Sequence, residues 1–329
     1  MIISFSFRRV LMILIFFTIL TLLIAPLIGT DKLSILELLS SRTGKQIFFE
    51  LRLPRIMFSF LVGFSLALIG VSFQALLQNE LATPYTLGVA SGGALGAVIA
   101  IKSGLEFSLF GFTTITFCSV GGSVLTILII YLIAKSRAGL SPLTLILTGV
   151  TVSLLFSSLI LFVHYLADFT ETYRMIHWLM GSLQVTGWSN SLILIPFVLV
   201  TFIYLFHKAM ALNVMSAGDE MALGKGVNVL GLQRGIFLTG SVLVGIIVAF
   251  AGPIGFIGLI IPHLMRLIVG ADHRKLLIAA PIFGGAFLTW CDTFARTIIA
   301  PAELPVGIIT AMLGGPFFIW LLIRQKKYI

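Results

Sequence analysis

Apolar runs of about twenty residues, separated by short polar connections, recur along nearly the whole chain. Ten stand out: 10–28, 53–76, 86–102, 112–134, 142–166, 190–207, 235–251, 256–270, 277–298 and 305–323. A helix rises about 1.5 Å per residue, so such runs match the ~30 Å hydrocarbon of a bilayer. Only helices and closed barrels satisfy their backbone in lipid, and these runs are continuous, without the alternation of barrel strands. The pattern predicts an all-α polytopic membrane protein whose single transmembrane domain occupies 1–329. The first run follows Arg8 and Arg9 but exceeds a signal-peptide core and lacks a small-x-small cleavage site, so it reads as a retained span.

Composition sharpens this. Of 329 residues 59% are hydrophobic and 10% charged, more apolar sequence than a soluble core absorbs. The net charge of +9 is spread through connections, with no basic helix and no aromatic ladder, so nucleic acid is not the expected partner. An even span count puts both termini on one side, and 13 Lys and Arg fall on that side against 8 on the other. By the positive-inside rule the termini are expected in the cytoplasm. Cys118 and Cys291 both lie in apolar runs, which fits buried thiols rather than a disulfide or a metal site.

One polar stretch interrupts the apolar sequence: Ser216 to Gly231, SAGDEMALGKGVNVLG. Asp219 and Glu220 ahead of Met221, Ala222 and Leu223 predict a short amphipathic helix on the inner surface, with Gly224 and Gly226 near its end. It can present a face to a soluble partner or be an ordinary loop. Gly224-Lys225 is not a phosphate-binding P-loop, because Gly218 is one residue too distant and Gly226 replaces the following Ser or Thr.

Other features admit two readings each. Gly88, Gly92 and Gly96 recur every fourth residue, which favours close helix packing over a phosphate cradle. Arg52 and Arg55 flank Pro54 at the expected start of the second span, either anchoring it at headgroups or docking a carboxylate-bearing partner. Asp292 and Arg296 are spaced to pair on one helix face. His164 and His177 fit interfacial positions better than a metal site. In 251–264, three glycines and two prolines break any regular helix, which membrane depth tolerates only where backbone is buried in protein or lines a cavity. There His263 is either a proton carrier or a hydrogen-bonded interfacial histidine.

The motifs LRLPR, QALLQNxLATPYTLGVASGGALGA, SAGDEMALGKGV, GPIGFIGLIIPHLMR with DHR, and ARxxxxPAELPVGI, in this order from about Leu51 to Leu322, resemble the FecCD-type permeases. These are membrane subunits of ABC importers for ferric chelates and cobalamin. The resemblance implies ten transmembrane helices, with helices two to five and seven to ten as an inverted pair. It implies a dimer with a second copy or close paralogue, two ATP-binding subunits, an extracytoplasmic substrate-binding protein, and residence in the cytoplasmic (inner) membrane. No cofactor is expected on this chain; ATP and Mg are used by the partner ATPase, and the chain is not itself an enzyme.

Residue by residue, Ser216, Ala217, Asp219, Glu220, Ala222, Leu223, Gly224 and Gly226 match the family's ATPase coupling loop. Arg52, Arg55 and Arg296 match outward arginines that dock the binding protein, and Ser141, Pro142, Leu143 and Thr144 match the inner gate region. One departure stands out. The family pattern Asn-Pro-Leu-Ala reads Asn79-Glu80-Leu81-Ala82 here, adding an acid at the inner surface. The substrate class expected is a ferric siderophore, with haem or cobalamin as alternatives. A stand-alone ion-coupled transporter would need a relay of intramembrane acids or histidines, for which Asp292 is the deep candidate. A membrane enzyme would need a nucleophile, base or metal constellation that the loops do not supply.

Overall fold

The computed structural model describes residues 6–29, 41–83, 85, 87–109, 112–136 and 141–325. Among the described residues, seven helices are long and apolar enough to cross a membrane, and three shorter apolar helices accompany them, one for each expected span. In chain order the structure opens with α1 (Phe7–Ile24), ended by Pro26 in a single 3-10 turn, then α2 (Arg42–Gln46) and α3 (Leu53–Leu76). Next come α4 (Val89–Ser103), the strands β1 (Ser108–Leu109) and β2 (Phe112–Thr113), α5 (Thr114–Ser136) and α6 (Pro142–Tyr165). The small antiparallel β1–β2 pair lies outside what the apolar pattern foresaw. Then follow α7 (Phe169–Leu179), α8 (Ser189–His207), α9 (Ala209–Met215), α10 (Asp219–Gly224), α11 (Val229–Ala251), α12 (Ile257–Val269), α13 (His273–Thr297) and α14 (Val306–Gln325).

Two span boundaries differ from the sequence reading for identifiable reasons. Pro54 does not start a helix: α2 runs through a π-helical turn, Ile47–Arg52, directly into α3. A proline inside a helix removes one hydrogen bond and crowds the carbonyl four residues back, here Glu50. The wide π turn accommodates the ring, and the Glu50 carbonyl accepts the Gly187 N–H at 2.9 Å instead. The seventh span begins earlier than 235, because Asn228 caps α11 by accepting the Gly231 N–H at 2.9 Å.

Helix α3 is the centre of the bundle, with 78% of its most apolar window buried, and α13 and α11 are close behind at 72% and 61%. α6 is the outlier, at 17%. The packing repeats itself between the two halves of the chain. α3 packs on α13 and α12 as α11 packs on α5 and α4; α4 packs on α6 as α12 packs on α14; and α5–α6 matches α13–α14. Helices two to five and seven to ten of the apolar pattern thus share one packing arrangement. Both second members, α4 and α12, are short, about 22 and 20 Å at 1.5 Å per residue, and cannot span the hydrocarbon alone. Both also start from a left-handed residue, Gly88 at φ 74° and Phe256 at φ 68°.

The glycine triad divides. Gly92 and Gly96 bring α4 against α5, where an added Cβ would strike Gly122, Thr126 and the Cys118 carbonyl. Gly88 does not share that helix face. It stands outside the helix as the left-handed N-cap of α4, a conformation that a β-carbon strains, and it faces Gly149 and Ser153 of α6. Replacing Gly96 by leucine should therefore lower stability by about 1–3 kcal/mol through overpacking, checked by thermal unfolding of the purified chain in detergent.

Candidate functional site

Chemistry-bearing residues gather at three levels. At the end of the bundle where α3 begins and α13 finishes, Arg52, Arg55 and Arg296 line one pocket of about 420 Å3 with Gly29, Gln184 and Glu303. Arg55 holds Asp292 through Nη2 at 2.8 Å and Nε at 2.9 Å, and its Nη1 reaches Glu303 Oε2 at 2.9 Å. Gln184 Nε2 donates to the same Glu303 oxygen at 2.8 Å. The expected Asp292–Arg296 pair does not form. Arg296 donates from Nη2 to the Ala25 carbonyl at 2.9 Å and to Thr293 Oγ1 at 3.2 Å, while Asp292 turns to α3. A bidentate Arg55 fork across two helices suits a buried carboxylate better than a single contact along one helix.

Nor are the arginines headgroup anchors. Arg52 and Arg296 are 6% and 3% exposed, and Arg52 reaches the Pro26 and Leu27 carbonyls that close α1. Arg55, beside the partly exposed Glu303, reaches the pocket with an acid partner that a competitor could replace. Burial alone would raise the Glu303 carboxyl, but the hydrogen bond and charge of Arg55, with Gln184, hold it below the usual carboxylate range.

Half-way along the bundle the two irregular segments meet. The Ile254 N–H, in the break between α11 and α12, donates to Tyr85 Oη at 2.7 Å, four residues before the start of α4. The loop after α7 covers the same break, with the Ser182 N–H donating to the Ala251 carbonyl at 2.8 Å. Beside this junction a pocket of about 450 Å3 opens between α4 and α6, lined by Tyr85, Ser91, Ser153, Ser157, Leu161 and Pro253 among others. Its polar groups are hydroxyls. Interrupted helices in corresponding positions of two halves are where transporters commonly expose backbone to a solute.

At the opposite end lies the polar island. α9 packs against α3 and α13, and α10 follows after Gly218. In α10, Ala222 is buried while Met221 and Leu223 are exposed, with Asp219 and Glu220 in the first turn. Ser216, Ala217, Gly224 and Gly226 are exposed, and Gly226 ends the element at φ 77°. Asn213 ties α9 to α13, donating to Asp272 Oδ1 at 2.8 Å and accepting the His273 N–H at 2.7 Å. Burial alone would raise the Asp272 carboxyl; this hydrogen bond, with the Arg274 N–H and the nearby charges of Lys275 and Arg274, holds it below the usual range.

Ser141 caps α6, accepting the Thr144 N–H at 3.3 Å, with Pro142 as the first helical residue and Leu143 68% exposed. His164 and His177 fall near the ends of α6 and α7, and His177 lies against Tyr173. His263 sits 3.5 Å from Glu80. Helix α7 itself went unread in the sequence, though its signal was present. Asp168 and Glu171 form a reciprocal capping box, with the Glu171 N–H on Asp168 Oδ1 at 2.8 Å and the Asp168 N–H on Glu171 Oε2 at 3.0 Å.

The FecCD transport family matches residues 13–324. This chain belongs to that family. Among its relatives, the ABC transporter permease protein YvrB of Bacillus subtilis is 42% identical over 283 residues, covering 85% of this chain and 80% of that protein. The hemin transport system permease protein HmuU of Yersinia pestis is 38% identical, covering 85% and 84%. The vitamin B12 import system permease protein BtuC of Yersinia pseudotuberculosis is 37% identical, covering 87% and 84%. A solved chain, described as an inward-facing conformation of a metal-chelate type ABC transporter, superposes with a TM-score of 0.85 at 33% identity, covering 97% of this chain and 100% of that one. The chain is a multi-pass membrane permease with the fold of this family.

Two outcomes follow from the charged cluster. Asp292→Asn removes the carboxylate that compensates buried Arg55, and should destabilise the protein by about 3–5 kcal/mol in thermal or denaturant unfolding. Glu303 is depressed in the folded state, so its stabilising contribution is present above its unfolded pKa and fades as pH falls below about 4.5. Glu303→Gln should flatten that part of the stability-against-pH curve and leave the neutral range little changed.

Proposed function

We propose that the chain is the transmembrane subunit of an ATP-driven importer that carries a ferric siderophore or related iron chelate into the cytoplasm. The observation that carries this reading is the pairing of short helices α4 and α12 in two halves of matching packing, meeting at Tyr85 and Ile254. The solved chain described as a metal-chelate type transporter supports the chelate class. Haem and cobalamin fit the same architecture, and the relatives named for hemin and vitamin B12 keep them as alternatives.

The chain moves substrate without making or breaking bonds in it, and ATP with Mg is consumed by two separate subunits. Their seat is the 216–231 segment on the cytoplasmic side, where Met221 and Leu223 offer an apolar surface beside Asp219 and Glu220. A second permease copy or close paralogue covers α6. This span is the least buried, yet it exposes Thr151, Ser157 and Ser158 among its leucines, a face better suited to a wet path and a partner helix than to lipid alone. The binding protein docks at the opposite end, where Arg55 exchanges Glu303 for a partner carboxylate. Residues 141–144 stand at the inner mouth of the path.

The reading is tested by recovering the tagged chain from its native membrane and identifying the proteins that come with it. An ATPase and a substrate-binding protein are expected; recovery of the chain alone, under conditions that keep other complexes whole, favours a secondary transporter. Gly226 adopts φ 77°, which a β-branched residue strains. Gly226→Val should leave the membrane domain folded and reduce uptake of a radiolabelled ferric hydroxamate in proteoliposomes containing the ATPase. Wild-type uptake in that variant would remove the coupling role.

A further inference from the structure

The turn between α3 and α4 is fastened on two sides by side chains that none of the roles above uses. Gln78, in the left-handed region at φ 48°, places Nε2 2.7 Å from Asp219 Oδ1, at the start of α10. The other oxygen of Asp219 accepts from Gln233 Nε2 of α11 at 3.3 Å. Two residues beyond Gln78, the Glu80 carboxylate reaches α12, with Oε1 3.0 Å from Arg266 Nη1 and Oε2 3.5 Å from His263 Nδ1. Arg266 donates from Nη2 to Gln74 Oε1 at 3.0 Å, returning the network to the last turn of α3. The side chains of His263 and Arg266 are 11% and 18% exposed, so Glu80 is the anion set against a largely enclosed guanidinium with an imidazole beside it. The hydrogen bond with His263 and the charge of Arg266 hold the Glu80 carboxyl below the usual range, against the effect of its own burial.

We propose that Glu80 is a positioning residue that locks α12 to the 216–231 segment, so that a displacement of α10 passes through Gln78 and the turn to α12. The inference rests on the reading of 216–231 as the seat of the ATPase. Its physical basis is short polar contacts joining rigid elements. α10 meets the turn through Asp219 and Gln78, the turn meets α12 through Glu80, and the far end of α12 adjoins the break that touches Tyr85. Loss of the carboxylate leaves the turn held to α10 but releases it from α12.

The test uses the full chain with its co-purified ATPase in proteoliposomes and nanodiscs, comparing wild type, Glu80→Gln, Glu80→Asp and the swap Glu80→Arg with Arg266→Glu. Glu80→Gln is expected to assemble and hydrolyse ATP like wild type, while uptake of radiolabelled ferric hydroxamate per ATP falls about fivefold. Amide hydrogen exchange across Ile257–Val269 should rise with it, and Glu80→Asp should recover most of both. A merely structural role would lower assembly or thermal stability and leave uptake per ATP unchanged. Wild-type transport and wild-type exchange in α12 for Glu80→Gln would overturn the proposal while leaving the importer reading intact. Failure of the wild-type chain to recover an ATPase would overturn both.

Discussion

Inside hydrocarbon no water is available to satisfy a backbone N–H, a carbonyl or a charge, so each must find its partner within the protein. That constraint shapes every irregular feature of this chain. The carbonyl displaced by Pro54 is taken by Gly187, and the N–H released where α11 gives way to α12 is taken by Tyr85. Asp292, deep in α13, is held by the two-pronged grip of Arg55. Regular helices carry the span; the departures from regularity occur where another part of the protein can receive the exposed group.

The same constraint explains how a moving transporter can remain well packed. The two short helices α4 and α12 are too short to span the hydrocarbon, and the segments that lead into them are buried, with Leu87 and Ile254 in the hydrophobic core and the Ile254 N–H on the Tyr85 hydroxyl. The pocket bordered by Tyr85, Ser91, Ser153 and Ser157 offers hydrogen bonds without fixed charge. Charges are kept to the two ends. At one end Arg55 is shared between Asp292 and Glu303; at the other, Glu80 faces Arg266 and His263. Both clusters join helices far apart in sequence, which makes them suitable places for partner proteins to act.

Burial is distributed unevenly for a related reason. α3, α11 and α13 form a core that packs like the interior of a soluble protein, through small residues that let helices approach closely. α6 stays largely uncovered, and its exposed Thr151 and Ser158 hydroxyls turn back to the Leu147 and Leu154 carbonyls of their own helix.

The number and order of spans were legible in the sequence, because twenty apolar residues have few alternatives to a membrane helix. The short amphipathic helix at Asp219–Gly224 was legible too, since acids, apolar residues and glycines lie in helical order. The family followed from motifs whose spacing was intact across most of the chain. Tertiary structure decided the rest. Spacing along one helix offered Asp292 to Arg296, but α3 lies closer and brings a guanidinium that can hold both carboxylate oxygens. A four-residue repeat suggested one glycine face, but Gly88 was needed at a left-handed turn before the helix could begin. Sequence periodicity reports what a helix can present on each face; which neighbour meets that face depends on contacts between residues hundreds of positions apart, and those exist only once the bundle has assembled.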